Sequence, residues 1–146
     1  TKKVFLYKRA KRSDNREGYV EKRHSHNYSG GIGGHIDKET EEGAGDPVKE
    51  AMMRELKEEV IMEEYPMPKF IGYINDDSDL FNKVHFGIVA IAETSKNVQK
   101  GDDEIAHGEF YSVEEVEKIF VSEENDVEKW TRISWPFVKS YLGKLN

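Results

Sequence analysis

The sequence predicts an α/β domain built from short strands and amphipathic helices. Three observations carry this. Short apolar stretches bounded by charge or turn residues recur along the chain, a long amphipathic helical pattern stands near its middle, and a second aromatic-rich helical segment closes it.

In chain order, residues 4–9 begin apolar and end in charge, so they read as a strand. Residues 13–18 are turn-like, and 19–23 read as a second short strand. The polar segment 25–29 leads into Gly30-Gly31-Ile32-Gly33-Gly34-His35-Ile36, where glycine frees the backbone or lets something approach it. Residues 37–45 are acidic and read as an exposed loop.

The clearest element follows. Asp46 suits an N-cap and Pro47 the first helical position. Val48, Met52, Leu56 and Val60 recur at i, i+4, which predicts an amphipathic helix over 47–62, stopped by Tyr65-Pro66-Met67-Pro68. Residues 69–75 read as a strand and 76–82 as a loop. The longest strand candidate is 83–93, apolar on both faces and therefore expected to be central. Residues 93–103 form a polar loop and 108–112 a short strand. Ser112-Val113-Glu114-Glu115 is a capping box opening a helix to about Phe120. A charged connection over 121–129 precedes the last helix, with Trp130, Trp135, Phe137, Val138, Tyr141 and Leu142. No repeat or linker divides the chain, so one domain is expected over 1–146.

Composition narrows the function. Hydrophobic residues at 36% and charged residues at 35% make the chain polar, but seven Phe, seven Tyr and two Trp argue for a packed core rather than disorder. The absence of cysteine excludes disulfides, zinc–thiolate sites and cysteine nucleophiles. No apolar run is long enough to span a bilayer, and a cytoplasmic protein without membrane contact is expected. A net charge of −7 disfavours a nucleic-acid polymer as partner. It still allows a small phosphate ester bridged by a cation. Lys8, Arg9, Lys11, Arg12, Arg16, Lys22 and Arg23 cluster early. They read as a solvated surface, from which one or two could face a phosphate.

Glu55, Glu58 and Glu59 concentrate the chemistry. At the helical pitch, Glu58 lies about 60° to one side of Glu55 and Glu59 about 40° to the other, so the three share a face. Like charges at these spacings repel, and the C-terminal half of a helix disfavours anions. A divalent cation would offset both costs, and oxygen ligands on a rigid element suit magnesium. The carboxylates alone read more readily as a solvated acidic face paired to Lys49, Arg54 and Lys57.

Context extends the pattern. Arg54-Glu55-Leu56-Lys57-Glu58-Glu59-Val60, with Gly33-Gly34 upstream, resembles the signature box of the Nudix hydrolases. Glu104, followed by Gly108-Glu109-Phe110, is similar to the distal acid and Gly-Glu-aromatic segment of MutT-like members. The chain departs from the box in three ways. Gly34 and Arg54 are 20 residues apart, six more than usual, which places an insertion within 37–45. Asp46 stands where the box has a glutamate, and Ile61 replaces the glycine after the Glu-Glu pair. The chain therefore looks like a divergent branch.

The resemblance implies an α/β/α sandwich with the mixed sheet between helices, and hydrolysis of a pyrophosphate linkage in a small nucleoside-diphosphate-like substrate. It implies magnesium, or manganese in its place, held by Glu58 and Glu59 with Glu55, the Gly33 carbonyl and Glu104. Arg54 would pair with Glu55 or Asp46, and the general base would be Glu55 or Glu104. Gly33, Gly34 and His35 would line the substrate. Of His24, His26, His35, His85 and His107, His35 is the one best placed to touch phosphate, the others reading as structural or surface residues. Tyr28 and Phe110 read as core or rim more readily than as base-stacking groups. Substrate identity and oligomeric state, a homodimer included, stay open. An isopentenyl-diphosphate isomerase needs a cysteine that is missing. A non-catalytic Nudix-like binding domain is the alternative, although a binder has no need of three repelling carboxylates.

Overall fold

The computed structural model describes residues 2–9, 27–43, 45–101 and 105–144. The expected turn at 13–18, the strand at 19–23, His24, His26, Glu104 and the basic residues from Lys11 to Arg23 lie outside the described residues.

Strand β1 (Lys3–Arg9) is the centre of a four-stranded mixed sheet. It pairs antiparallel with β2 (Asn27–Ser29) on one side and with β7 (Ile105–Ser112) on the other. The far side of β2 takes β8 (Asp126–Val127) in parallel. Between them the chain forms α1 (Pro47–Glu59), β3 (Val60–Met62), β4 (Lys69–Ile74), a 3-10 turn at Asn82–Val84, β5 (Gly87–Ile91) and β6 (Val98–Lys100). Two helices follow β7, namely α2 (Val113–Val121) and α3 (Lys129–Lys144). No helix among the described residues is long and apolar enough to cross a membrane.

Alternation along β1 sets the layers. Successive strand residues point to opposite faces. Leu6 joins Tyr28, Val116, Val127 and Trp135 on the α2–α3 side. Tyr7 joins Leu56, Val60, Met62 and Ile105 on the α1 side. The sheet thus lies between α1 and the other two helices, the α/β arrangement expected. Burying an aliphatic side chain such as Leu6 contributes about 1.5–3 kcal/mol, and Leu6→Ala would lose about 2–5 kcal/mol because it would leave a cavity in the closed α2–α3 core.

Several boundaries differ from expectation. The helix over 47–62 ends at Glu59. Val60, Ile61 and Met62 turn extended and pair with Lys100, Gln99 and Val98. The β-branched Val60 and Ile61 suit this, and Val60 is fully buried there. The stop is therefore strand pairing, ahead of the prolines. The polar loop at 93–103 contains β6, and the connection at 121–129 contains β8. The strand expected over 83–93 is cut to Gly87–Ile91 by the 3-10 turn. Among the described residues it pairs only with β4, so it is not central. The short strand at 108–112 is the eight-residue β7, and centrality belongs to β1. Pro136 sits inside α3 and withholds one amide from the helix, which continues past it.

Candidate metal and catalytic site

Helix α1 begins as its sequence dictates. The Asp46 carboxylate accepts the Lys49 amide at 3.1 Å, and Pro47 takes the first turn, where no amide is needed. Leu56 and Ala51 anchor the buried stripe. That orientation leaves Arg54, Glu55 and Glu58 on the side facing the glycine run.

Arg54 is the hub of this side. Its Nε donates to Glu41 Oε1 at 2.9 Å, its Nη1 to Glu55 Oε1 at 2.7 Å and its Nη2 to the His35 carbonyl at 3.0 Å. Nη1 also reaches Glu58 Oε2 at 3.5 Å. These bonds, to Glu41 first and Glu55 second, hold the guanidinium firmly charged, its pKa raised above the ordinary arginine value.

Of the two partners expected for Arg54 it takes Glu55, and Glu41 of the insertion is an additional partner that the sequence did not suggest. Asp46 pairs with Lys49, not with Arg54. The Glu41 side chain is only 3% exposed, although residues 37–45 read as an exposed loop. Its second oxygen accepts the Asp37 amide at 2.6 Å, closing a turn in which the Glu41 amide donates to the Asp37 carbonyl. Sequence offered no means of choosing Glu41 over Glu39 or Glu42. The i, i+4 spacing from Asp37 was the one available hint.

A side chain at position 34 would displace the Glu55 carboxylate. A Cβ there would fall 2.4 Å from Glu55 Oε1 and 2.7 Å from Oε2, so the carboxylate rests directly on the backbone. Gly33 adopts φ 156°, a conformation that L side chains rarely adopt, with open space where a side chain would stand.

The three helix carboxylates are not gathered at one point. Glu55 lies inward between Arg54 and Gly34, whereas the Glu58 side chain is 57% exposed. Glu59 is near enough to Tyr7 and Arg9 for its charge to bear on both. Its carbonyl accepts the Gly101 amide at 2.9 Å, and the chain returns at the buried Ile105. Glu104 lies between these two in sequence, outside the described residues. Among the described residues no three acidic or histidine side chains are grouped to enclose an ion. Magnesium does not require such an enclosure, since it keeps several waters and takes one or two carboxylates plus phosphate oxygens. The carboxylate oxygens of Glu55 and Glu58, tied together by Arg54, are donors of the kind that suits a hard dication.

The remaining candidates fall elsewhere. The His35 ring lies 5.7 Å from that of His85, which stacks on Phe81 at 4.2 Å. His107 is exposed beside Glu109 at 3.4 Å. Tyr28 is buried in the core against Tyr111, and Phe110 packs edge-on to Phe5. Of the early cations, Lys8 sits over the Tyr28 ring and Arg9 pairs with Glu128 at 3.3 Å.

No curated protein and no solved structure matches the chain. The family model for the NUDIX domain matches residues 1–132, spanning the glycine run, α1 and the strands that support them. With nearly the whole chain under that match, and with the arginine–glutamate helix seated on a glycine pair, this protein belongs to the Nudix family.

Proposed function

We propose that this Nudix-class hydrolase cuts a pyrophosphate linkage in a small nucleoside-diphosphate-X type substrate, with magnesium as its cofactor and manganese as a substitute. The observation that carries the reading is the seating of Glu55 on Gly34 while Arg54 ties Glu55 and Glu58 to the glycine run. That seating supports the reading because it brings one α1 carboxylate against the glycine backbone.

Glu55, Glu58 and Glu59 would hold the ion, with the Gly33 carbonyl and Glu104 as further ligands. When bound, magnesium supplies neutralisation of the diphosphate oxygens and a lowered pKa for a coordinated water. The chain's own residues do the rest. Arg54 orients Glu55 and Glu58 through its fork of donors and fixes the glycine run through the His35 carbonyl. Gly33, Gly34 and His35 lie along the diphosphate. Glu55 or Glu104 accepts the proton of the attacking water. Positioning and electrostatics supply most of the acceleration in such transfers.

A panel of nucleoside triphosphates, sugar nucleotides, ADP-ribose and dinucleoside polyphosphates, assayed with and without magnesium, tests the proposal. Magnesium-dependent release of phosphate or nucleoside monophosphate is expected, and Glu59→Gln should abolish most of it. Ion binding with no release across the panel would replace this reading with a non-catalytic binding domain.

A further inference from the structure

The glycine run is gripped at both ends. At its exit, Glu55 packs on Gly34 and Arg54 bonds the His35 carbonyl. At its root it is held from both faces of the sheet, by Thr131 of α3 and by Tyr7 on the α1 side. The Gly30 amide donates to Thr131 Oγ1 at 3.0 Å, and the Gly31 amide to Ser29 Oγ at 3.2 Å. The Gly31 carbonyl accepts the Tyr7 hydroxyl at 2.7 Å. Ser29 Oγ in turn donates to Glu128, which also accepts Arg9. Tyr7, Ser29 and Thr131 are all buried. The packing is close, since a Cβ on Gly30 would stand 3.0 Å from Leu6 Cδ2 and 3.4 Å from Thr131 Cγ2. Only Ile32 and Gly33 lie between the two grips.

Glycine-rich backbone has the most conformational freedom to lose, so a carbonyl on it serves as a ligand only if something else fixes it. The buried hydroxyls at the root are suited to that task. Burial also pushes the Tyr7 phenol up to about 12, despite the opposing Ser29 bond, so it stays a donor through neutral pH.

We propose that Tyr7 and Thr131 are positioning residues for the reaction: by holding Gly31 and Gly30 from the two faces of the sheet, they set the Gly33 backbone against α1. This rests on the function proposed above. Thr131 is the cleaner probe, because Tyr7 also feels the Glu59 charge. Thr131 lies on α3, and its bond reaches the site only through the loop.

The test compares wild type with Thr131→Val, Thr131→Ser and Tyr7→Phe. Amide hydrogen exchange of residues 30–34 is read in the metal-free protein, Mn²⁺ binding by electron paramagnetic resonance, and kcat and KM with magnesium. Losing one such bond should speed Gly30 and Gly31 exchange, weaken Mn²⁺ binding and lower kcat, each by about three- to tenfold, with KM little changed. Thr131→Ser should return all three towards wild type. Should Thr131→Val fail to fold, Tyr7→Phe carries the comparison. Faster exchange with wild-type ion binding and kcat would overturn the positioning role alone and leave the function standing. Unchanged exchange would overturn the clamp itself. A wild type that binds no ion and hydrolyses nothing would overturn the proposed function, and this inference with it.

Discussion

Helices α1 and α2 both begin with a side-chain cap and both carry several glutamates, yet they place them at opposite ends. In α2, Glu114 and Glu115 stand in the first turn, and Ser112 and Glu115 close a reciprocal capping box. Negative charge there meets the positive end of the helix and exposed amides. In α1 only Glu50 lies in the first turn, while Glu55, Glu58 and Glu59 crowd the last turns, where the same field opposes them. The α2 acids are explained by helix stability. The α1 acids run against it, and what they gain is Arg54, Gly34 and the prospect of a cation. Charge placed against helix stability is what the proposed cation would offset.

The largest effect that separates the two helices is on turnover. Glu59→Gln in α1 is expected to lower kcat on the order of 10²-fold or more, as loss of a metal ligand should exceed the 10–100-fold cost of losing a ligand's outer support. Its melting temperature should change little, because relief from the helix field is set against the lost attraction to Arg9. Steady-state kinetics and thermal melts check both. A variant with wild-type turnover would reduce α1 to a second solvated face.

How far the sequence could be read follows the same division. The cap at Asp46, the capping box at Ser112, the strand of β1 and the start of α1 are local patterns, and all were legible, whereas the shared face expected for Glu55, Glu58 and Glu59 is divided between Arg54, solvent and the side of Tyr7 and Arg9. The features decided by distant partners were not. Val60-Ile61-Met62 continues an apolar helical spacing, and only pairing with β6 turns it into strand. Val98-Gln99-Lys100 carries too little apolar alternation to announce that partner. Glu41 was hidden for the same reason, since its role depends on a turn that swings the insertion onto Arg54.

Glu41 and Asp46 permit a crossed experiment. Glu41→Gln should cut kcat by about 10–100-fold, as loss of support to an orienting arginine. Asp46→Ala should leave kcat nearly alone and destabilise the fold by about 0.5–2 kcal/mol through loss of the cap. Denaturant unfolding and kinetics on both variants check the assignment. A kcat loss confined to Asp46→Ala would return the arginine's support to the helix start.

In α2 the expected effects are on stability only. Ser112→Ala should cost about 1 kcal/mol and leave turnover unchanged, measured by urea unfolding alongside kcat. The smallest effect is in pH dependence. The Ser112 amide, helped by the Ser112 hydroxyl, holds the Glu115 carboxyl below its ordinary value of 4.5. A depressed folded-state pKa means that this stabilisation is present above 4.5 and is lost as pH falls below it. Thermal melts across the acid range should therefore show a shallower decline for Glu115→Gln than for wild type. Parallel curves would mean that Glu115 contributes nothing to α2 through its charge.

The claim on which the rest depends is that the carboxylates of α1 hold a hard dication. Calorimetric titration of Mn²⁺ into wild type and into the combined Glu55→Gln, Glu58→Gln, Glu59→Gln variant tests it most directly. Saturable binding in wild type that disappears in the variant is the predicted result. Equal binding to both proteins, or none to wild type, would contradict it.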